Sequence, residues 1–377
     1  MAKVSKRQVR KAVKTISKAP KGVVFVCYLL VVVLALGYFL YTNFFVKKGG
    51  EDYLVYSNVE GEISFHFLTL GNSTPGDCTL VQVGDNDILI DAGSDEDSLD
   101  DVKSYLSDKV TDGVLEYVIV THSDMDHIAC FQVDGGIFDS YECEVIIDFP
   151  KSTHSETSGS YKDYLEKRNA EILAGAEHYN ALDCYKNTNG AKRVYELSPY
   201  VDMEILYNYY YDHSATKNNN NSVCLLFNHE GRKFLFTGDL EHNGEDDLVR
   251  ENDIGKVCLY KAGHHGSITS SSKTLLDEIR PDFCIFQTAV GTDKYTSDTA
   301  NQMPAQKVCD EIKKHTDRVY ATSIADREFN GDVEIADLNG NIVVVSKLDR
   351  ITVYCSNNAT KLKDTNWYKE RRITTLS

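Results

Sequence analysis

Three polar turns, each preceded by a short apolar run, constrain the fold of this chain more than any other feature. The first turn follows the β-branched run 115–120 and carries His122, Asp124, Asp126 and His127 within six residues. Zinc, manganese and iron accept carboxylate and imidazole ligands, so this turn can coordinate one or two cations. For any one of these residues, a helix N-cap with solvated charge is the alternative interpretation.

Two turns further along the chain carry the additional ligands that such a centre needs. The apolar run 232–236 ends in Thr237, Gly238 and Asp239. An Asp at the tip of a buried strand can bridge two cations with its two oxygens, and the glycine allows a close approach of the backbone. The run 256–260 leads to His264 and His265 between two glycines. One of these histidines can bind a metal while the other contacts or protonates a substrate.

Strand and helix patterns alternate along the rest of the chain. Alternating or short apolar runs predict strands at 62–70, 79–83, 87–90, 114–120, 144–148, 223–227, 232–236 and 256–260, and helices are predicted at 97–108 and 161–178. This order is typical of an α/β layered fold. Residues 150–211 interrupt it with many tyrosines. We interpret them as an insertion whose tyrosines either pack on the core or stack on a sugar, choline or base.

The N-terminal region has a composition of its own. Residues 1–22 contain eight basic residues and no acidic residue, and residues 23–46 form an almost unbroken apolar run. About 20 apolar residues span a bilayer, and we see neither a short signal-peptide core nor a cleavage site. We therefore predict a basic tail at 1–22, one transmembrane helix at 23–46 and a linker at 47–60. A buried helix of a soluble domain is the alternative.

The distribution of basic residues predicts the orientation of this anchor in the cell membrane. Eight basic residues precede the apolar run and two follow it, which places the N-terminus in the cytoplasm by the positive-inside rule. The remaining domain is then extracellular. Nine of the ten cysteines belong to it, without a CxxC pair, and we expect buried free thiols rather than a disulfide framework.

The remaining domain is strongly acidic. The first 48 residues hold ten of the 40 Lys and Arg and none of the 57 Asp and Glu, which leaves 30 basic and 57 acidic residues, a net charge of −27. Such a surface gains nothing from the counterion release that dominates non-specific binding of nucleic acids. We therefore expect no stable binding of duplex DNA.

Considered together, the three turns resemble those of the metallo-β-lactamase superfamily, and within it the ComEC type domain of competence proteins. The resemblance extends over about 62–340, and its matching segments are 76–77, 89–93, 121–127, 221–223, 235–239 and 261–267. It implies a four-layer αββα sandwich over 61–350, of which 150–211 are the insertion. Residues 351–377 are then a C-terminal extension.

The resemblance also implies a centre of two divalent metal ions, zinc or manganese. By position, His122 and Asp124 would hold one ion, and Asp126, His127 and one of the histidines at 264 and 265 would hold the other. Asp239 would bridge both ions. His265 is the favoured ligand because the last metal histidine of the family is often followed by glycine. His264 is then left as a catalytic contact to the substrate, and Asp126 also orients the nucleophile.

Several positions depart from the family pattern. Asp124 replaces the second histidine of the commonest motif, HxHxDH, which shifts the preference towards manganese or another hard cation. Asn221 and Ser222 stand where other members have a third-motif histidine, so we expect the first metal to be loosely held. Both are candidate substrate contacts, as is Lys261, for which a solvated side chain is the alternative. The loop 292–303 lacks the histidine that the family often has there.

These features predict a membrane-anchored, externally facing, metal-dependent hydrolase. The leading hypothesis is a nuclease-like phosphodiesterase, in which the metals lower the pKa of the attacking water. Its substrate would be a small phosphodiester, a nucleotide or a short nucleic acid. The alternatives are a hydrolase of a β-lactam or thioester, and a non-enzymatic competence or envelope assembly protein. One predicted span cannot form the multi-helix channel of the competence proteins, and the oligomeric state is not determined.

Overall fold

The computed structural model describes residues 49–326 and 334–374. The predicted tail and transmembrane helix, 1–46, lie outside these residues. From Gly49 onward the chain forms one compact unit. Within the described ranges, no helix combines the length and the apolar composition that crossing a bilayer requires.

The first of two sheets has seven strands in the described residues. They are β1 (Gly49–Phe67), β2 (Asp77–Val83), β3 (Asn86–Gly93), β4 (Val114–Ile119), β5 (Glu142–Asp148), β6 (Glu177–Asn180) and β15 (Ile342–Cys355). Their spatial order is β15-β1-β2-β3-β4-β5-β6. The strands from β3 to β6 are parallel, and the pairs β15-β1, β1-β2 and β2-β3 are antiparallel.

The second sheet has eight strands in the described residues. They are β7 (Val194–Ser198), β8 (Val201–Ile205), β9 (Leu225–His229), β10 (Arg232–Phe236), β11 (Leu259–Lys261), β12 (Phe283–Val290), β13 (Val319–Asp326) and β14 (Glu334–Asp337). Their spatial order is β14-β13-β12-β11-β10-β9-β8-β7. The strands from β10 to β13 are parallel, with antiparallel neighbours on either side.

The sheets stack on each other because their strands are apolar on the facing sides. Phe65 of β1 lies 4.6 Å from Phe234 of β10 and 5.4 Å from Phe227 of β9, measured between ring centroids. Side chains on successive strand residues point to opposite faces. Leu235, between two phenylalanines of β10, accordingly joins a second apolar cluster on the other face. The second sheet is therefore buried on both faces, which explains its continuous apolar runs.

Eight helices are described: α1 (Leu99–Lys109), α2 (Met125–Gln132), α3 (Gly159–Ala174), α4 (Ala181–Lys186), α5 (His242–Glu251), α6 (Lys273–Ile279), α7 (Gln306–Ile312) and α8 (Asn366–Thr374). Leu248 of α5, Leu276 of α6 and Ile312 of α7 pack in the cluster on the outer face of the second sheet. Val102 of α1 and Phe131 of α2 belong to the cluster of the first sheet. The predicted mixed α/β fold with two sheets is confirmed.

Two segments have a different role from the predicted one. From Gly49 onward, the predicted linker 47–60 belongs to β1, and its partner β15 continues to Cys355, inside the predicted C-terminal extension. The Tyr-rich segment 150–211 supplies the edge strands β6 and β7 and also β8, so it is built into both sheets. In both cases, the segment forms a strand because it pairs with a strand that is distant in sequence. Such pairing leaves no local pattern in the sequence.

The cysteines follow the sequence prediction. All nine cysteines of the described residues are free and buried. They lie in the apolar clusters and behave as small hydrophobic side chains.

Candidate metal centre

The three polar turns meet at one edge of the molecule, where the parallel strands β4, β10 and β11 end. Open α/β sheets commonly bind ligands at the carboxyl ends of their strands. Asp239 lies between two buried histidines: its Oδ1 is 3.3 Å from His127 Nε2 and its Oδ2 is 3.4 Å from His265 Nε2. Together with Asp77, these residues offer four ligand atoms that all lie within 4.8 Å of one another.

A carboxylate holds the second nitrogen of each of these histidines. His127 Nδ1 forms a hydrogen bond of 2.8 Å with Asp91 Oδ2. His265 Nδ1 lies 3.0 Å from Asp77 Oδ1, a close contact between the charged groups without hydrogen-bond geometry. Metal-binding histidines typically have such a partner, which fixes the orientation of the ring and the free nitrogen. In both histidines the Nε2 atom is therefore turned towards Asp239.

Asp77 and Asp91 were not among the predicted site residues, although both lie in segments that resemble the family. Asp91 accepts hydrogen bonds from the backbone N–H of Thr121 at 2.7 Å and from its hydroxyl at 2.8 Å. Its backbone is left-handed, with φ of 56°, a conformation that Asp tolerates better than most residues. The available signal was an acidic residue within two positions of a glycine, in Gly76-Asp77 and in Asp91-Ala92-Gly93.

The remaining predicted ligands flank this cluster. Asp124 Oδ2 lies 3.4 Å from His122 Nε2, and Asp126 Oδ2 lies 3.5 Å from His265 Nε2. The second oxygen of Asp124 is 2.5 Å from His154 Nε2 and accepts a hydrogen bond of 2.9 Å from Asn218. His154 and Asn218 had no recognisable signal in sequence, since both lie in irregular segments far from Asp124.

Several buried ligand atoms have no hydrogen-bond partner. Buried polar atoms in proteins are nearly always hydrogen-bonded. In the described residues the exceptions include the Nε2 atoms of His122, His127 and His265 and the Oδ1 atom of Asp239. These atoms belong to nitrogen and carboxylate ligands that divalent transition metals accept. The residues therefore fit a metal centre.

The ionised histidines and carboxylates of the cluster stabilise one another. Burial opposes ionisation of His127 and His265, but the nearby carboxylates outweigh it and raise the pKa of each histidine well above its usual value. Burial also opposes ionisation of Asp239, yet the two histidines hold its pKa well below the usual range. The carboxylate thus stays ionised, and a cation held by these residues would replace the imidazole protons.

The two adjacent histidines have different surroundings, although both have a left-handed backbone with φ of 50° and 52°. His265 is fully buried, whereas the side chain of His264 is 18% exposed. His264 Nδ1 lies 3.0 Å from the hydroxyl of Thr269, and its Nε2 lies 3.6 Å from Asp239. Burial lowers the pKa of His264 despite the nearby Asp239. His264 therefore faces the open side of the cluster as a neutral imidazole.

The three predicted substrate contacts are all buried. Ser222 Oγ accepts a hydrogen bond of 3.0 Å from the backbone N–H of Asp239 and thereby holds the second turn. Asn221 is 1% exposed, and its Oδ1 has no hydrogen-bond partner. Lys261 is 3% exposed and its ammonium group is paired with Asp77. This placement supports neither a solvated Lys261 nor its contact with a substrate.

Gly238 has a steric role in the second turn. Its φ is 51°, and a Cβ atom here would lie 2.8 Å from Ser222 Oγ and 2.9 Å from Thr121 Cβ. Only glycine tolerates both the conformation and the close approach. The glycine thus allows the turns after β4 and β10 to touch.

A family model described as the metallo-beta-lactamase superfamily matches residues 71–133. ComE operon protein 3 of Bacillus subtilis is 24% identical over 213 residues, which are 55% of this chain and 23% of that protein. Recombination protein 2 of Haemophilus influenzae is 38% identical over 72 residues, 19% of this chain and 9% of that protein. The chain thus spans less than a quarter of the length of either relative.

Among solved structures, the metallo-beta-lactamase fold protein YhfI of Bacillus subtilis aligns with a TM-score of 0.42 and 13% identity. The alignment covers 73% of this chain and all of that protein. The family match covers the first polar turn. Competence protein ComA of Neisseria gonorrhoeae is 32% identical over 98 residues, 25% of this chain and 13% of that protein. The match at 71–133 and these relatives support a metallo-β-lactamase domain of the ComEC type in this chain.

Proposed function

We propose that this domain is a metal-dependent phosphodiesterase that acts on small diesters, nucleotides or short nucleic acids. One observation carries the proposal: buried nitrogen and oxygen atoms of His122, His127, His265 and Asp239 converge without hydrogen-bond partners. Such a set is costly to bury unless a cation binds to it. The same set argues against an assembly protein that merely keeps the fold.

The residues divide into two ligand groups around Asp239. His122 and Asp124 would hold one divalent ion, and Asp126, His127 and His265 the other, with Asp239 between them. When bound, such ions act as Lewis acids, neutralise developing negative charge and supply a nucleophile at neutral pH.

The protein groups around the ligands have positioning roles. Asp91 and Asp77 fix the rings of His127 and His265, and Lys261 fixes Asp77 through a buried ion pair. His264 lies on the open side of the cluster, where it can donate a proton to the substrate or accept a proton from it.

A phosphodiester suits this centre better than a carboxylic substrate. Three of the six predicted ligands are aspartates, and oxygen ligands favour hard cations such as manganese. Two cations can hold both the attacking and the leaving oxygen of an in-line displacement at phosphorus. One relative is named a recombination protein, and from it we take only the expectation of a substrate that contains phosphodiester bonds.

We also propose a location for the activity. The basic segment 1–22 and the apolar run 23–46 would anchor the chain in the cell membrane with the N-terminus in the cytoplasm and the domain outside. Protease added to intact cells should then remove the domain and leave a small membrane-bound stub. Full protection in cells that are accessible to the protease would contradict this orientation.

The decisive activity experiment is a small substrate panel. Purified domain loaded with manganese or zinc should cleave bis(p-nitrophenyl) phosphate and should barely turn over a chromogenic cephalosporin. Preferential hydrolysis of the cephalosporin would establish the carboxylic alternative. Metal-loaded protein that cleaves no diester but binds a partner tightly would instead establish the assembly role.

Metal content is the matching structural test. The double variant Asp126→Ala Asp239→Ala should lose most of the bound metal in elemental analysis because both substitutions remove predicted ligands. The double variant Asp85→Ala Asp108→Ala is the control. Asp85 lies in the turn between β2 and β3, Asp108 lies on α1, and both residues are exposed. Equal metal content in the two double variants would refute the ligand assignment.

A further inference from the structure

The loop that follows β12 brings one exposed side chain to the metal centre. The loop spans 291–303 and is closed at its base, where the backbone N–H of Gly291 donates to Met303 at 2.8 Å. An isolated bridge between Thr292 and Met303 continues this closure. The hydroxyl of Thr292 also donates to the Ser73 carbonyl at 2.9 Å, which fastens the loop to the segment before β2.

Tyr295 points from this loop into the ligand cluster. Its hydroxyl donates to Asp126 Oδ2 at 3.2 Å. The same carboxylate oxygen lies 3.5 Å from His265 Nε2, so the hydroxyl contacts a predicted ligand atom directly. The residue as a whole, in contrast, is 56% exposed. Tyr295 therefore spans from the solvent side of the loop to the edge of the predicted metal site.

The centre otherwise offers few donors for a substrate. A phosphodiester carries negative charge, and its bound oxygens need hydrogen-bond donors or cations. Lys261 is buried and paired with Asp77, so its ammonium group is not available at the mouth of the site. His264 is one accessible donor, and the hydroxyl of Tyr295 is a second.

The hydroxyl of Tyr295 keeps its proton at neutral pH. An ordinary phenol has a pKa of about 10, and this hydroxyl donates to Asp126 Oδ2. A protonated phenol donates a hydrogen bond, and it is not a nucleophile. Tyr295 can thus contribute a neutral donor next to an otherwise acidic cluster.

We propose that Tyr295 is a catalytic residue whose hydroxyl donates a hydrogen bond to a phosphoryl oxygen of the bound diester. The inference rests on the proposed function and assigns a substrate contact to a loop in which the sequence showed no histidine. In the absence of substrate the hydroxyl donates to Asp126. With substrate bound, it exchanges this acceptor for the phosphoryl oxygen, and no covalent bond is made or broken at Tyr295.

The test compares Tyr295→Phe with the parent domain, both loaded with manganese. Removal of one donor to developing charge typically costs about two to three orders of magnitude, so we expect kcat/KM for bis(p-nitrophenyl) phosphate to fall at least about tenfold. Metal content and Tm should stay at the parental values because the ring remains. Inhibition by inorganic phosphate should weaken in parallel. A kcat/KM within twofold of the parent would overturn the proposal.

Tyr354→Phe is the matched control, since Tyr354 is also an exposed tyrosine, at 41%, and lies on β15. It should match the parent in every measurement. If the parent domain cleaves no diester, the phosphodiesterase proposal fails, and phosphate binding by calorimetry then decides the role of Tyr295 separately. Tenfold weaker phosphate binding by Tyr295→Phe would support the contact, and unchanged binding would refute it.

Discussion

At the scale of single residues, the buried pair of Asp77 and Lys261 is the most consequential contact outside the ligands themselves. Asp77 is 7% exposed, Lys261 is 3% exposed, and the carboxylate also faces His265. Burial opposes the ionisation of Asp77, but Lys261 and His265 hold its pKa far below the usual range. The pair therefore keeps an ionised carboxylate beside a predicted metal ligand, His265.

Replacement of Asp77 by Ala should be strongly destabilising. It leaves the Lys261 charge buried without its partner, which costs about 3–5 kcal/mol. Urea denaturation of the metal-free protein measures this loss. The double variant Asp77→Ala Lys261→Met should recover most of the stability because it removes the orphaned charge. It should not recover metal affinity, since His265 still lacks its acceptor. Recovery of both would show that Asp77 does not act through His265.

His154 should affect metal affinity through Asp124. Its Nε2 atom lies 2.5 Å from Asp124 Oδ1, while Asp124 Oδ2 faces His122. Loss of such an outer partner typically lowers metal affinity about 10–100-fold. We expect His154→Ala to weaken the binding of one of two metal equivalents in a calorimetric titration. His213→Ala removes a similarly exposed histidine and should leave both equivalents unchanged. Equal titrations for the two variants would exclude this role.

At the scale of elements, Glu245 fastens helix α5 to the segment after the adjacent histidines. Its carboxylate accepts hydrogen bonds of 2.6 Å from the backbone N–H groups of Ser271 and of Ser272. Burial outweighs these hydrogen bonds and raises the pKa of Glu245 to about 7. The contact holds the segment after the third polar turn against α5. Helix α5 thereby helps to position the adjacent histidines.

This raised pKa makes the stability of the fold depend on pH. The folded state holds the Glu245 proton more tightly than the unfolded state does. Protonated Glu245 therefore contributes to the free energy of unfolding. This contribution is complete below about pH 4.5 and is lost as the pH rises through about 7, a change of about 3 kcal/mol. Between pH 5 and 8, the metal-free parent should therefore lose stability relative to Glu245→Gln in urea denaturation. Glu251→Gln, an exposed substitution on α5, should follow the parent. Parallel pH profiles for the parent and Glu245→Gln would contradict this prediction.

At the scale of the whole molecule, the negative charge of the domain should affect which of the proposed substrates can approach. The chain after residue 48 has a net charge of −27. Long polyanions are repelled by such a field, whereas a small diester with one charge is affected little. We therefore expect the proposed phosphodiesterase to act less on long duplex DNA than on small diesters.

Added salt should reduce the preference for small diesters over long DNA. The Debye length falls from about 10 Å at 0.1 M to about 3 Å at 1 M ionic strength, so added salt screens the repulsion. We expect cleavage of long DNA to rise relative to cleavage of bis(p-nitrophenyl) phosphate as salt increases. The small diester measured at each salt concentration is the control for effects on the metal centre. A falling ratio would indicate an attractive binding surface for DNA instead.

Much of the fold could be predicted from local patterns. The strands β2, β4, β5 and β10 lie within two residues of their predicted bounds, since apolar alternation and β-branched runs are local properties. The edge strands β6 and β7 and the long pairing of β1 with β15 were not predicted. They are short or of mixed polarity, and their stability comes from partners elsewhere in the chain.

The sequence by itself determined the residue types of the site, because four candidate ligands lie within six residues and the others sit in two short turns. Only the tertiary structure decided which side chains support them. Asp77 is 184 residues from Lys261, and Tyr295 is 169 residues from Asp126. Contacts over such distances follow from the stacking of two sheets, which brings the ends of distant strands to one edge. No spacing rule along the chain encodes that proximity.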